Sequence, residues 1–236
     1  MTTIPQTTVF LLGDTHANTL PPLRALAVTG VRDAAVILLG DAGFGFPDEA
    51  PNEWADVDML LHTMNSELYV LRGNHDNPAC FHGDSDYLAP YTHIHALQDF
   101  EEVSIGGKSG IVVGGAVSID RAARTPGLTC WPDAEGVNAA LFRSSPARHY
   151  DFVLAHTSPT PPKATPGLVP AAALRFADRR LCGDITEEQD LLAEIHRAYS
   201  PAHWFAGHWH FSDAFSLLNT RFRILDINEL LPCPLA

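Results

Sequence analysis

The chain has 236 residues, 46% of them hydrophobic, so it can bury a sizeable core, and residues 1–236 are read as one domain. Its 15 Lys and Arg against 28 Asp and Glu leave a formal charge of −13, which excludes a broad basic surface for gripping a long nucleic-acid duplex. Cys80, Cys130, Cys182 and Cys233 form no CxxC pair, the N-terminus has no basic leader, and no apolar run approaches the ~18 residues of a membrane helix. These features predict a cytoplasmic protein with no membrane partner and neither a zinc cluster nor a disulfide framework.

In chain order, "TTVFLLGDTH" predicts a strand ending at Asp14 and His16, followed by a helix over 20–28 opened by Pro21 and Pro22. "AAVILLGDAG" predicts a second strand ending at Asp41, and a helix capped by Asn52 runs to Met64. "ELYVLRGNHD" predicts a third strand ending at Asn74, His75 and Asp76. The stretch 92–116 reads as consecutive strands with a "GGK" turn, and then a long loop, "SIDRAARTPGLTCWPDAEG", intervenes. "YDFVLAHTSP" predicts a strand ending at His156, followed by a proline-rich segment carrying Lys163. A helix over 186–199 with a Thr186–Gln189 capping box precedes "HWFAGHWH", whose strand ends at His208 and His210. A hairpin around Asn219 closes the chain.

The five named strands are continuously apolar, as expected for strands covered on both faces, and together they imply an α/β architecture of two packed sheets with helices outside. Each delivers Asp, Asn or His at its C-terminal end, the edge where open α/β sheets bind ligands. Singly these residues have ordinary explanations: Asp14 and Asp41 as turn caps, Asn74 as a turn residue, His156 as a buried hydrogen-bonded histidine. Turn chemistry does not explain five strand ends of this kind, because buried carboxylates and imidazoles are costly unless paired or coordinated. Mixed nitrogen and oxygen donors suit manganese, iron or zinc better than calcium or magnesium. Asp14, His16, Asp41, Asn74, His156, His208 and His210 exceed the needs of one ion, so two ions sharing a carboxylate are expected, with phosphate esters as natural substrates.

The ordered set GD-x-H, GD, GNHD, a strand-terminal His and GH-x-H resembles the calcineurin-like metallophosphoesterase superfamily. That resemblance implies a four-layer α-β-β-α sandwich of two mixed sheets flanked by helices, the metallo-dependent phosphatase fold. It implies that Asp14, His16 and His210 bind one metal, that Asn74, His156 and His208 bind the other, and that Asp41 bridges. It makes His75 the catalytic histidine near the scissile phosphate, protonating the leaving oxygen or stabilising its charge, with a metal-bridging hydroxide as nucleophile. Two divalent ions are the implied cofactors: manganese or iron first, zinc or nickel next.

The second motif reads "GDAGFGF", with Phe44 and Gly45 where phosphoprotein phosphatases carry an acid and an arginine, so a protein serine/threonine phosphatase is disfavoured. "GDAGFGFP" and "GGAVSIDRAAR" are similar to small bacterial and phage metallophosphoesterases. Arg72, Arg121 and Arg124 are candidate phosphate contacts and Trp131 a stacking surface. The expected activity is hydrolysis of a small phosphate monoester or diester. The competing reading is an inactive phosphoesterase-like scaffold, which predicts missing ligands where none is missing.

Overall fold

The computed structural model describes residues 1–4, 8–47, 53–145, 148–162 and 178–235. The Asn52 cap and Lys163 lie outside the described residues. Twelve strands are described: β1 (Thr2–Ile4), β2 (Thr8–Leu12), β3 (Ala34–Leu38), β4 (Glu67–Leu71), β5 (Ile94–Leu97), β6 (Glu102–Ile105), β7 (Lys108–Val113), β8 (Phe152–Ala155), β9 (His203–Ala206), β10 (Asp213–Leu217), β11 (Thr220–Ile224) and β12 (Leu230–Pro232). The helices are α1 (Leu20–Val28), α2 (Glu53–Met64), α3 (Ala139–Ser144) and α4 (Leu181–Tyr199).

The strands form a five-stranded sheet, β12-β2-β3-β4-β5, and a seven-stranded sheet, β1-β6-β7-β8-β9-β11-β10. Both are mixed: β2, β3, β4 and β5 pair in parallel, while β12 joins β2 antiparallel, and β7, β8, β9 and β11 are parallel between antiparallel partners. The consecutive strands expected over 92–116 belong to different sheets, since β5 completes the first while β6 and β7 build the second. Two strands absent from the sequence reading, β1 and β12, are three residues each, too short for a periodicity signal.

Strand β3 shows why the apolar runs lack polar alternation. Its side chains alternate between two apolar environments: Ala35 and Ile37 enter the layer between the sheets, and Val36 and Leu38 pack under α1 and α2. The inter-sheet layer joins Val9, Leu11, Tyr69 and Leu97 to Val112, Phe152, Leu154 and Phe205. On the far side, Phe142 of α3 and Leu192, Ile195 and Tyr199 of α4 cover Val113, Val153 and Trp204. The result is the α-β-β-α sandwich.

Helix α1 starts at the predicted prolines, and the N–H groups of Thr19 and Leu20 at its start donate to Glu53 Oε1 of α2 at 2.6 and 2.9 Å. Helix α4 begins five residues before the predicted start. Thr186 is inside it, its hydroxyl donating to the Cys182 carbonyl at 2.9 Å, so the Thr186–Gln189 capping box does not form.

Candidate metal centre

The carboxyl ends of β2, β3 and β4 in one sheet and of β8 and β9 in the other meet at one edge of the sandwich. Each apolar run there gives way to a tight turn. His16, Asp41, His208 and His210 all have positive φ (47°, 54°, 68° and 50°), a costly conformation for non-glycine residues that concentrates at functional sites. The turns are fastened to one another: the N–H groups of Thr15 and His16 donate to the Asp41 carbonyl at 3.1 and 2.8 Å, and Gly207 N–H donates to the His156 carbonyl at 3.0 Å.

Asp14, His16, Asp41 and His210 bring one ligand atom each within 4.8 Å of one another. His16 Nε2 lies 2.9 Å from His210 Nε2, and His210 Nε2 lies 3.1 Å from Asp14 Oδ2. Beside this group, Asn74 Oδ1 sits 2.9 Å from His156 Nε2 and 3.0 Å from His208 Nδ1. Asp41 stands between the two groups: Oδ2 faces His16 Nε2 at 3.8 Å and Oδ1 faces His156 Nε2 at 3.2 Å. All seven ligand-type residues named from the sequence are thus brought together. Asp14, Asp41, Asn74 and His156 are buried, while His210 is 44% exposed, so the centre opens to solvent on one side.

This donor set fits divalent cations. Asp14 and Asp41 are buried carboxylates whose ion-pair partners, among the described residues, are imidazoles, which are themselves neutral donors once deprotonated. His156 donates Nδ1–H to the Leu39 carbonyl at 2.7 Å, an arrangement that aims Nε2 into the centre as metal-binding histidines require. Burial alone would push the His156 imidazole down, but Asp41, with support from Asp14 and the Leu39 carbonyl, pulls its pKa up to about 9. Asp41 is held well below the usual carboxylate range: burial opposes this, and His156 with His75 and His16 overrides it. Burial, reinforced by His156, pushes His208 down to about 3.

His75 lines a cleft of about 340 Å³ beside the centre, with His16, Ala17, Gly43, Phe46, Arg124 and Thr125 among its walls. Its backbone N–H donates to Asp41 Oδ1 at 2.7 Å, Phe46 stacks on its ring at 5.7 Å between centroids, and Arg124 Nη2 faces its Nε2. Burial lowers its pKa to about 4 against the pull of Asp41, and Arg124 adds to the lowering. Asp76 does not hydrogen-bond the His75 ring. Its carboxylate accepts from the N–H groups of Gly43, Phe44 and Gly73 at 2.8, 3.0 and 2.7 Å and so pins two strand-end loops together.

The three arginines separate. Arg72 is buried, with Nη2 2.7 Å from Asp99 Oδ2 and its other donors on the carbonyls of Ala134, Glu135 and Gly136. Arg121 ties the long loop to Asp184 of α4 at 2.5 Å and to Asp178, just ahead of that helix, at 2.7 Å. Both have their partners within the protein itself, and of the three it is Arg124 that lines the cleft. Of the two positions vacated in "GDAGFGF", Phe44 is fully buried against Trp54 and Phe81, while Gly45 is half-buried and donates its N–H to the Tyr87 hydroxyl at 3.1 Å. Trp131 meets Phe46 at 5.4 Å between centroids, and Trp209 donates Nε1–H to Ser158 Oγ at 2.9 Å. Phe46 and Ser118 were not foreseen, for neither stands at a strand end nor in a recurrent spacing.

A two-sheet sandwich with carboxylates and imidazoles converging at its strand ends agrees with the metallo-dependent phosphatase fold that the sequence motifs imply. The sequence model described as "Calcineurin-like phosphoesterase" matches residues 7–212, and the chain belongs to that family. Solved structures agree at the level of the fold. Phosphopantetheinyl hydrolase from Mycobacterium tuberculosis superposes with a TM-score of 0.51 at 12% identity, over 94% of this chain and 90% of that one. A candidate 5′-nucleotidase from Staphylococcus aureus, in complex with α-ketoglutarate, gives 0.51 and 12% over 94% of this chain and 48% of that one, so the present chain spans about half its length. No curated protein sequence matches the chain. Among the described residues, no helix is long and apolar enough to cross a membrane.

Proposed function

We propose that the chain, acting as one domain, is a dinuclear metal-dependent phosphoesterase that hydrolyses a small phosphate monoester or diester. The observation that carries this reading is the position of Asp41, whose two carboxylate oxygens face different donor groups, His16 on one side and His156 with Asn74 on the other. A carboxylate so placed suits a bridging role. Asp14, His16 and His210 would hold one ion, and Asn74, His156 and His208 the other, with manganese or iron preferred and zinc or nickel admissible. When bound, such a pair lowers the pKa of water and offsets charge on phosphate oxygens.

The chain's own residues supply the rest. His75 borders the cleft beside His16, where a leaving oxygen would emerge. Held neutral at ordinary pH, it keeps an N–H to donate to the oxygen on which charge develops, which favours charge stabilisation over proton transfer. Arg124 brings a fixed positive charge to the same wall. A cleft of about 340 Å³ lies at the small end of ligand sites, and the net charge of −13 disfavours long polyanions; both support a small substrate.

The test is hydrolysis of a nitrophenyl monoester and a bis-nitrophenyl diester by metal-stripped protein, with Mn, Fe, Zn, Ni or Mg added back. Turnover with at least one metal is expected, and none with any metal would sink the proposal. His75→Ala should keep its metal while losing turnover by about 10²-fold or more.

A further inference from the structure

An asparagine ligand carries an ambiguity that a carboxylate does not. Its amide presents either an oxygen, which can bind a cation, or an NH₂ group, which cannot. At Asn74 the oxygen faces His156 and His208, and the Nδ2 group points away from them to Ser118 Oγ at 2.9 Å. Ser118 is buried, and it comes from the long loop after β7 rather than from any ligand-bearing strand end.

The hydroxyl of Ser118 is itself held. Arg124 Nη1, which can only donate, points at Oγ from 3.1 Å and at the Asn74 carbonyl from 3.3 Å. Asp120 pairs with the same guanidinium at 2.5 Å and balances its charge. Ser118 N–H donates to the buried Glu135 at 3.3 Å, and the Glu135 backbone carbonyl accepts from Arg72 at 2.8 Å. A chain of hydrogen bonds therefore runs from Arg72, just ahead of the GNHD turn, through Glu135 and Ser118 to the Asn74 amide.

We propose that Ser118 is a positioning residue for the second metal: its hydroxyl, fixed by Arg124, receives the Asn74 amide NH₂ and so keeps Asn74 Oδ1 turned toward the ion shared with His156 and His208. This inference rests on the dinuclear reading above. It assigns the loop over 118–136 a role in building the centre besides bordering the substrate cleft. Partners of metal ligands typically change metal affinity by about 10–100-fold when removed.

The experiment titrates metal-stripped wild type, Ser118→Ala and Ser118→Thr with Mn²⁺ by calorimetry and by electron paramagnetic resonance, with the melting midpoint of each metal-free protein as a check on the fold. Wild type should take up two ions and show an exchange-coupled pair. Ser118→Ala should bind the first ion as wild type does and the second about 10–100-fold more weakly, giving a mononuclear spectrum where wild type is already coupled. Ser118→Thr, which keeps the hydroxyl, should restore coupling. Wild-type affinity for both ions in Ser118→Ala would overturn the inference, and so would equal weakening of both ions, which marks a general structural defect. Failure of wild type itself to bind two ions would sink the dinuclear reading, a result distinct from a loaded wild type that Ser118→Ala merely equals.

Discussion

His156 Nε2 lies 3.2 Å from Asp41 Oδ1, in a contact that joins the seven-stranded sheet to the five-stranded one. Both side chains are essentially buried, so each compensates the other's desolvation: the carboxylate keeps His156 protonated up to about 9, and the imidazolium keeps Asp41 ionised. A divalent ion placed there would take over the role of the proton.

Metal uptake should therefore expel a proton, since a ligating imidazole must be neutral. Calorimetric titrations near neutral pH, in two buffers of different ionisation heat, are expected to show net proton release, with apparent affinity rising until the pH reaches about 9. Heats independent of the buffer would contradict this. The same pair sets the stability of the metal-free protein. Because the folded His156 pKa lies above the ordinary value near 6.5, its contribution is complete below ~6.5 and is lost as pH rises through about 9. His208, held down to about 3, acts oppositely and removes stability as pH falls below ~6.5. The metal-free melting midpoint should fall on the alkaline side, and His156→Gln should flatten that fall.

Asp41→Asn keeps an oxygen for the His75 N–H but removes the charge and one of the two oxygens that face the separate donor groups. Metal affinity should drop by more than the roughly 10–100-fold typical of outer partners, and hydrolysis with it. Metal content after dialysis and a turnover assay provide the readout. Two ions retained at wild-type affinity would remove Asp41 from its bridging role.

Gly207→Ala should damage the centre without touching a ligand. A Cβ at this position would lie 2.1 Å from Asp14 Oδ1, so either the carboxylate or the turn must shift. The requirement here is space rather than backbone freedom, since Gly207 does not adopt a positive φ. Gly183→Ala is the contrasting case: it lies in α4, where a Cβ meets nothing within 4 Å, and should stabilise the protein by up to ~1 kcal/mol through helix propensity. Chemical denaturation and Mn²⁺ binding of both variants separate the two effects.

Arg72→Ala should destabilise the fold by about 3–5 kcal/mol, because it leaves Asp99, only 13% exposed, without its cation and frees the carbonyls of Ala134, Glu135 and Gly136. Arg72→Lys keeps the charge but not the fork and should recover only part of the loss. Urea unfolding measures it, and a change under ~1 kcal/mol in Arg72→Ala would show that the pair is dispensable.

Much of the site was legible without coordinates because its signals are local. An apolar run of strand length followed at once by Gly, Asp, Asn or His needs only its own few residues to be recognised, and the five runs foretold the strands, the doubly covered sheets and the seven ligand-type residues. The helix over 20–28 and the turns at Gly106–Gly107 and Asn219 were equally local. The start of α4 differs because an apparent capping signal at Thr186 falls inside a longer helix that opens on the buried Leu181.

What the sequence by itself determined was the inventory: which side chains end the strands, in which order, and with what donor chemistry. Only the tertiary structure decided how they are shared. The proximity of His16 to His210, 194 residues later, depends on two sheets stacking across a common core, and the same stacking turns the two oxygens of Asp41 toward different partners. The arginines make the same point. Arg72, Arg121 and Arg124 look alike along the chain, yet the fold gives the first to Asp99, the second to α4 and the third to His75 and Ser118, because the partner of a long charged side chain is whichever group the packing leaves within its reach.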